Sequence, residues 1–223
     1  TINANGTWAA LGAPELARRR ADYAIAVADD LVAQAKSLVS AWAPGEGDYH
    51  TAFTQAGTDT RLYARDQDAF NVVDNALYYF DKELKDFKVG VPLGRNPECG
   101  APSCPERVES RLSGASNANI AANIVGFRLI VQGCGAGFGG LGFDDWLRAS
   151  QQPELADALT AAAANAEQVA RTLPAPLETL VRTDPARAGL LYDALKAVSD
   201  LLKAELPSAL NLEPPAAVAG DND

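Results

Sequence analysis

Residues 66–87 read DQDAFNVVDNALYYFDKELKDF, and this stretch decides the fold class of the chain. Its large apolar side chains recur at spacings of three and four, which is the period of one face of an α-helix. The stripe consists of Phe70, Val73, Leu77, Phe80, Leu84 and Phe87. Either Asp66 or Asp68 can cap the first turn, and the lysines near the end suit the helix dipole and are expected to be solvated. The pattern predicts one helix from Asp66 to Phe87.

The same period recurs along most of the chain, so the other segments are predicted to be helical too. Long helices are predicted over residues 14–42, 117–132, 153–173 and 184–206, and short ones over 49–55, 143–149 and 177–182. Asp184 and Pro185 form a strong start signal, an N-cap residue followed by proline in the first turn. No stretch alternates with a period of two for long enough to predict a β-strand. The prediction is an all-α protein, an up-and-down helical bundle with long loops.

The two ends of the chain differ in composition from its middle. Residues 1–13 are small and polar and are predicted to form an N-terminal loop, whereas residues 14–206 hold the helical bundle. Residues 207–223 are predicted to form a proline-rich tail. The first residue is threonine and the sequence contains no methionine, so we expect a processed chain or a fragment whose signal peptide has been removed.

Overall charge and hydropathy narrow the classes of partner. The 223 residues are 48% apolar, which is enough to build a buried core. The formal net charge of −10 argues against a nucleic-acid partner and gives mild attraction to cations. No apolar run approaches the roughly 18 residues that a membrane-spanning helix needs. We therefore expect neither a nucleic-acid partner nor a transmembrane segment.

A loop rich in glycine, proline and cysteine interrupts the helical pattern between residues 87 and 116. A break of this length between helices is more often functional than not. Cys99 and Cys104 could close a small disulfide within the loop, which would suit an oxidising periplasm. Cys134 would then be left over, either buried and inert or paired with a segment outside this sequence. Three unrelated thiols are the alternative.

Glu109 and Ser110 lie at the end of this loop, between Arg107 and Arg111. A carboxylate flanked by two guanidinium groups stays ionised and can be oriented by bidentate hydrogen bonds. Such a group could bind a ligand, anchor a partner helix or form a structural ion pair that fixes the loop. Ser110 is not predicted to be a nucleophile, because the sequence has no G-x-S-x-G turn and its single histidine is sixty residues away.

The single histidine, His50, is the candidate for a metal ligand within this chain. Together with Glu46 and Asp48 it could share a cation, although metal ligands on helices commonly recur at spacings of three or four. The three residues lie in a turn that contains glycine, where acidic residues are common for solvation alone. A solvated loop is therefore the competing interpretation.

Several runs of sequence resemble one protein family. They are KVGVPLG at residues 88–94, VES at 108–110, NIAANIVGF at 119–127, GLGFDDWL at 140–147 and LYDALKAVSDLLKAEL at 191–206. Their order resembles the second, C-terminal half of the imelysin-like family, which includes an insulin-cleaving metalloproteinase and iron-regulated proteins. Its members are bacterial cell-envelope proteins linked to iron uptake and classed as metallopeptidases. The resemblance implies two helical bundles related as a repeat, of which residues 14–206 form the second, with the site in the cleft between them.

The resemblance also implies where the site and its partners lie. Lys88, Glu109 and Ser110 match positions that face the cleft, so they are the candidate ligand-binding residues. The family's G-x-H-x-x-E motif is absent, because Phe53 occupies the position three residues after His50. The ligands for a metal such as iron or zinc would then lie in a missing N-terminal half or in a companion chain.

Three hypotheses about function follow from the resemblance. The first is a periplasmic or outer-membrane-associated bacterial protein that takes part in iron acquisition or ligand binding. In that case this chain supplies one wall of the cleft, and an iron species or a peptide binds there. The second is an imelysin-type metallopeptidase whose metal ligands come from the companion segment. The third is a structural helical module for protein contacts.

Overall fold

The computed structural model describes residue 8, residues 10–213 and residue 215. Its α-helices are α1 (Ala13–Trp42), α2 (Tyr49–Thr54), α3 (Asp66–Leu77), α4 (Ser116–Val131), α5 (Phe143–Ala149), α6 (Pro153–Arg171), α7 (Leu177–Thr183), α8 (Pro185–Ala204) and α9 (Leu206–Leu210). A π-helix spans Phe80–Gly90, and short 3₁₀ turns lie at Pro97–Cys99, Pro105–Arg107 and Ala136–Phe138. All regular secondary structure within the described residues is helical, which confirms the predicted all-α class. No helix in this part of the chain is both long enough and apolar enough to cross a membrane.

The chain divides into two compact units, Thr1–Ala69 and Phe70–Asp223. Much of the predicted N-terminal loop and of the predicted C-terminal tail lies outside the described residues. The predicted boundaries at residues 13 and 206 therefore stay predictions.

The first unit is built on the long helix α1. Pro14 lies in its first turn and Glu15 follows, which suits the start of a helix. None of the α1 side chains is buried, so its apolar side chains, such as Leu31 and Leu38, lie on the helix surface. At the end of the helix, the ring of Trp42 packs against those of Tyr49 and Phe53, with centroid distances of 4.6 and 6.1 Å. These aromatic contacts fix the turn from α1 into α2.

The second unit is a helical bundle whose core lies between α4, α6, α8 and the π-helix. Helix α6 packs against α4 and α8, and the π-helix packs against the same two helices. The buried face of α6 is rich in alanine, which lets its neighbours approach closely, and most of the larger side chains there come from α4 and α8, beside Leu155 and Leu159 of α6. The buried alanines are Ala156, Ala163, Ala166 and Ala170, and the larger side chains include Ile120, Ile124, Phe127, Leu191, Leu195 and Leu202.

Two polar side chains fix helix ends in this bundle. Asp184 Oδ1 accepts a hydrogen bond from the Arg187 N–H at 3.1 Å, so α8 begins with the cap that the sequence predicts. Asn117 of α4 accepts the N–H of Leu177 at 2.9 Å and donates to the carbonyl of Ala175 at 3.0 Å. These bonds satisfy donors in the first turns of α8 and α7, which have no partner inside their own helices.

The predicted helix from Asp66 to Phe87 is interrupted in the structure. Helix α3 ends at Leu77, and from Phe80 the chain winds as a π-helix of 11 residues. The end of this π-helix shows the characteristic bond from an N–H to the carbonyl five residues back, which joins Val91 to Asp86 at 2.7 Å. Such helices are rare, occur mostly as single turns and are frequent at functional sites. The prediction of one continuous α-helix is therefore wrong for its second half.

The change of winding explains which apolar side chains are buried. A π-helical turn takes up more residues than the roughly 3.6 of an α-helical turn, so the buried face advances by four or five positions. Phe80, Leu84 and Val89 accordingly lie in the core. Phe87, the last residue of the predicted stripe, is 37% exposed, because it belongs to the stripe only in an α-helix.

Candidate functional site

The loop between the π-helix and α4 is held by a disulfide and by backbone contacts. The sulfur atoms of Cys99 and Cys104 are bonded, and their Cα atoms lie 5.7 Å apart. The N–H of Cys104 donates to the carbonyl of Pro92 at 2.8 Å. Gly94 has a φ of +71°, and a Cβ there would lie 2.2 Å from the carbonyl oxygen of Pro102. Only glycine fits at that position, so the loop has a fixed course.

Lys88 lies near the end of the π-helix and reaches across to this loop and to α4. Its Nζ donates a hydrogen bond to Oδ1 of Asn123 at 2.9 Å and lies 3.1 Å from Oε2 of Glu109. The same nitrogen is 5.6 Å from the centre of the Tyr79 ring. The structure therefore brings together two of the three candidate residues, Lys88 and Glu109, although they are far apart in the sequence.

The surroundings of Lys88 keep its side chain protonated. Burial alone would lower the pKa of Lys88, because it removes water from the charged ammonium. Contacts with Tyr79 and Glu109 act in the opposite direction and more than compensate, so the pKa of Lys88 lies above its ordinary value. The site thus presents a fixed positive charge at neutral pH.

The two arginines that flank Glu109 in the sequence pair with other carboxylates. Arg107 lies 3.7 Å from the carboxylate of Glu98, and Arg111 lies 3.8 Å from that of Glu178. The prediction that Glu109 is held between two guanidinium groups is therefore wrong. Successive side chains leave this irregular turn in different directions, so adjacency in the sequence does not make them partners.

Ser110 joins the end of the loop to the first turns of α4. It has a φ of +54°, which is uncommon for a residue other than glycine. Its Oγ accepts a hydrogen bond from Nδ2 of Asn119 at 3.0 Å, and its carbonyl accepts one from Oγ of Ser113 at 3.0 Å. Next to it, the hydroxyl of Ser116 donates to the carbonyl of Glu109. These bonds hold the backbone that carries Glu109, and a ligand-binding role for Ser110 stays a prediction.

An apolar groove of about 200 Å³ lies beside Lys88, with α3 and the π-helix on one side and α4 on the other. Its lining is apolar apart from Asn123 and combines aromatic, aliphatic and small residues: Tyr79, Phe80, Phe127, Leu77, Leu84, Ile130, Ala76, Ala122 and Gly126. Tyr79 and Asn123 also contact the ammonium group of Lys88, so this charge lies at the edge of the groove. A Cβ added to Gly126 would meet no atom within 4 Å, which shows that the glycine leaves open space. The arrangement can hold a small apolar group next to an anionic one.

Three residues before Lys88, the same π-helix carries a lysine that is fully buried. The Nζ of Lys85 lies 3.2 Å from Asp81 Oδ1 and 2.9 Å from Asp86 Oδ1. Asp81 and Asp86 are five residues apart, a spacing that π-helical winding brings to one face. The prediction that the lysines of this helix are solvated is therefore wrong for Lys85. The sequence did contain a signal for this cluster, because Asp81 and Asp86 are five residues apart and Lys85 lies between them.

Helix α3 contributes a further buried carboxylate, Asp74. Neither of its oxygen atoms has a hydrogen-bond partner among the described residues, and burial raises the pKa of Asp74 to about 6. The Tyr78 hydroxyl donates to the carbonyl of Leu202 at 3.2 Å. Burial, together with the nearby carboxylates of Asp74 and Asp81, raises the pKa of Tyr78. Asp74, Tyr78 and the Lys85 ion cluster thus form a polar interior that sequence reasoning missed.

The residues around His50 pair with other side chains or lie in solvent. Asp48 lies 3.0 Å from Arg61, and hydrogen bonds from Thr51 and Arg61 lower the pKa of Asp48. His50 is exposed. Within the described part of the chain, no three His, Cys, Asp or Glu side chains are grouped so that they could hold a metal ion. Binding of iron or zinc through a companion segment stays a prediction.

Cys134 is unpaired within this chain and exposed, so the expectation that it could be a buried, inert thiol is wrong. Its pairing with a segment outside this sequence stays a prediction. It follows α4, in the glycine-rich segment that leads to α5. Glycines there approach other backbone atoms closely, which fits a tightly turned segment.

Comparison with known proteins gives one positive finding. A family model described as imelysin, peptidase M75, matches residues 6–204, which is most of the chain. No curated protein and no solved structure matches this chain.

Proposed function

We propose that this chain, which belongs to the imelysin family, is a ligand-binding protein of the bacterial cell envelope that serves iron acquisition. In this proposal the groove beside Lys88 forms one wall of the binding cleft, and a companion imelysin segment supplies the other wall. Glu109 and Ser110 belong to the same wall. The bound species is an iron species or a peptide.

The observation that carries the proposal is the pair of Lys88 and Glu109 at the edge of the apolar groove. The Lys88 side chain is 14% exposed, whereas that of Glu109 is 44% exposed. Because the Glu109 carboxylate is solvated when it leaves, the pair resembles a surface ion pair, which contributes about 0–1 kcal/mol, and a ligand can replace the carboxylate at small cost. Lys88 keeps its contacts with Tyr79 and Asn123 when Glu109 leaves. A fixed cation with an exchangeable partner suits the binding of an anionic group.

Two further observations support a place in the cell envelope. The Cys99–Cys104 disulfide is typical of proteins that fold in an oxidising compartment such as the periplasm. Members of the imelysin family are typically extracytoplasmic in bacteria. The disulfide also lies in the loop that carries Glu109. An oxidising environment therefore keeps this loop, and with it Glu109, in place.

The test is equilibrium binding of ferric citrate, of hemin and of a pool of short peptides to the wild type and to Lys88→Ala. The matched control is Lys196→Ala, which removes a half-exposed lysine that pairs with Asp200 at 2.8 Å on α8. We expect Lys88→Ala to weaken binding of the accepted species at least about tenfold, because charge-assisted bonds to a ligand contribute about 1.5–3 kcal/mol. The free energy of unfolding should fall no further than in Lys196→Ala.

Two outcomes would contradict the proposal. If Lys88→Ala and Glu109→Ala change only the free energy of unfolding, the chain is a structural helical module. If the native material carries a companion polypeptide with a metal in one-to-one ratio and cleaves the peptides, the metallopeptidase hypothesis replaces it. Intact mass and metal analysis of the non-reduced protein separate these outcomes before any variant is made.

A further inference from the structure

The size and lining of the groove beside Lys88 indicate which ligands it accepts. Its volume is about 200 Å³. An engineered cavity of about 150 Å³ binds benzene, so this groove has room for one ring and a short substituent. Tyr79, Phe80 and Phe127 line it, and the rings of Phe80 and Phe127 already pack with centroids 4.5 Å apart. Leu77, Leu84 and Ile130 complete the apolar lining. The three rings favour edge-to-face or offset contact with another aromatic ring, so the groove suits an aromatic body.

The polar groups at the edge of the groove indicate the second part of the ligand. Oδ1 of Asn123 accepts a hydrogen bond from Lys88, so the Nδ2 group of the same side chain is a donor. An ammonium and an amide N–H side by side match the two oxygens of a carboxylate. Glu109 shows that a carboxylate reaches this position, because its Oε2 lies 3.1 Å from the Lys88 nitrogen.

We propose that the groove binds a small aromatic carboxylate with a single ring. The ring lies between the π-helix and α4, and the carboxylate replaces that of Glu109 on Lys88. Glu109 is then a competitor for the ligand position, which keeps Lys88 paired when the groove is empty. This inference rests on the proposed function, since it names the ligand class of the same site.

Three probes separate the parts of the ligand in calorimetric titrations of the full chain. They are 3-phenylpropanoate, its neutral amide 3-phenylpropanamide, and propanoate, which lacks the ring. A fragment of this size should bind with a dissociation constant of about 0.1–1 mM. The amide and propanoate should each bind at least about tenfold more weakly, because each lacks one of the two recognised groups.

Three variants and one control variant test the geometry. Lys88→Met should abolish the preference for the acid over the amide, and Lys196→Met should leave it unchanged. Gly126→Leu fills the groove from α4 where a Cβ meets no atom within 4 Å, so it should abolish binding without lowering the melting temperature. Glu109→Gln should tighten binding of 3-phenylpropanoate about two- to fivefold, because it removes the competing charge of an exposed pair.

Several results would contradict the assigned ligand class or the competitor role of Glu109. Equal affinity for the acid and the amide, or unchanged binding in a folded Gly126→Leu protein, contradicts the assigned ligand class. Weaker binding in Glu109→Gln also contradicts it, because the Glu109 carboxylate would then help to hold the ligand instead of competing with it. If 3-phenylpropanoate fails while Lys88→Ala still abolishes binding of ferric citrate, hemin or peptide, only the ligand class is wrong. If both fail, the proposed function is wrong as well.

Discussion

Two lysines, three residues apart on the same π-helix, have opposite surroundings. Lys85 is fully buried between Asp81 and Asp86, with nitrogen–oxygen distances of 3.2 and 2.9 Å. Lys88 lies at the edge of an open groove, and its carboxylate partner Glu109 is 44% exposed. The two ion pairs have similar distances, so distance alone does not separate them. Burial separates them, because it decides whether the partner can be exchanged for water or for a ligand.

The difference shows that one helix can carry both a charge that stabilises the fold and a charge that is able to bind a ligand. Removing one member of a buried pair leaves an uncompensated charge in a medium of low dielectric constant, which is strongly unfavourable. Removing one member of an exposed pair leaves a charge that water solvates, at little cost. The Lys85 cluster therefore fixes the π-helix against α8, where Lys203 also approaches Asp81 at 3.6 Å. Lys88 is then free to change its partner without changing the fold.

The largest effect is expected when the buried lysine is replaced. Lys85→Met leaves Asp81 and Asp86 without their closest cation, so the free energy of unfolding should fall by about 3–5 kcal/mol. Urea unfolding followed by circular dichroism measures the change. Lys196→Met, in a half-exposed pair with Asp200 on α8, should cost less than about 1 kcal/mol.

A combined replacement shows whether the three buried charges add net stability to the fold, or whether each is needed only to compensate the others. Exchanging Lys85 together with Asp81 and Asp86 for apolar residues of similar size should recover most of the stability lost in Lys85→Met. If Lys85→Met is as stable as Lys196→Met, Lys85 is not buried in solution, and its surroundings do not differ from those of Lys88.

The next effect is expected from Asp74, a buried carboxylate whose oxygen atoms have no hydrogen-bond partner among the described residues. Burial raises its folded-state pKa from 3.8 to about 6, so the folded state holds a proton that the unfolded state releases between these values. The stability that this proton provides is complete below about pH 4 and is lost as the pH rises through about 6. By linkage, the loss is on the order of 2–3 kcal/mol.

The measurement is the free energy of unfolding of the wild type and Asp74→Asn at several values between pH 4 and 8. The free energy of unfolding of Asp74→Asn should rise relative to that of the wild type as the pH rises from 4 to 8, whatever its value at pH 4. Asp157→Asn, in an exposed pair with Arg148 at 2.9 Å, is the control and should follow the wild-type profile. Parallel profiles for the wild type and Asp74→Asn would show that Asp74 is hydrated and does not share the buried surroundings of Lys85.

The sequence contained enough information for the fold class but not for the winding of the π-helix. Spacings of three and four predicted the helices, and Asp184 marked the start of α8 because its cap is a local interaction. Phe80 and Leu84 fit both an α-helical and a π-helical stripe, so they could not reveal the change. The two stripes differ only at their last member, which is Phe87 in an α-helix and Val89 in a π-helix. Packing against α4 and α8 selects Val89.

The candidate site was only partly predictable for a related reason. The family resemblance named Lys88 and Glu109, but their pairing depends on the course of a loop held by a disulfide and by Gly94. The nearest cations in the sequence, such as Arg107, bind elsewhere. A lysine at a regular spacing of three looks like part of a solvated face, so the burial of Lys85 became visible only with the neighbouring helices in place.

The smallest effect is expected at the exposed pair, and a double-mutant cycle measures it. Lys88→Ala, Glu109→Ala and the double variant should give a coupling energy below about 1 kcal/mol at low salt. At 1 M salt the coupling should approach zero, because charges are then screened beyond about 3 Å. The same cycle at Lys85 and Asp81 should give a coupling several-fold larger that changes little with salt, since salt does not enter the buried cluster. A coupling of more than about 2 kcal/mol at Lys88 and Glu109, insensitive to salt, would mean that the pair fixes the loop permanently, because a carboxylate held that firmly could not give way to a ligand.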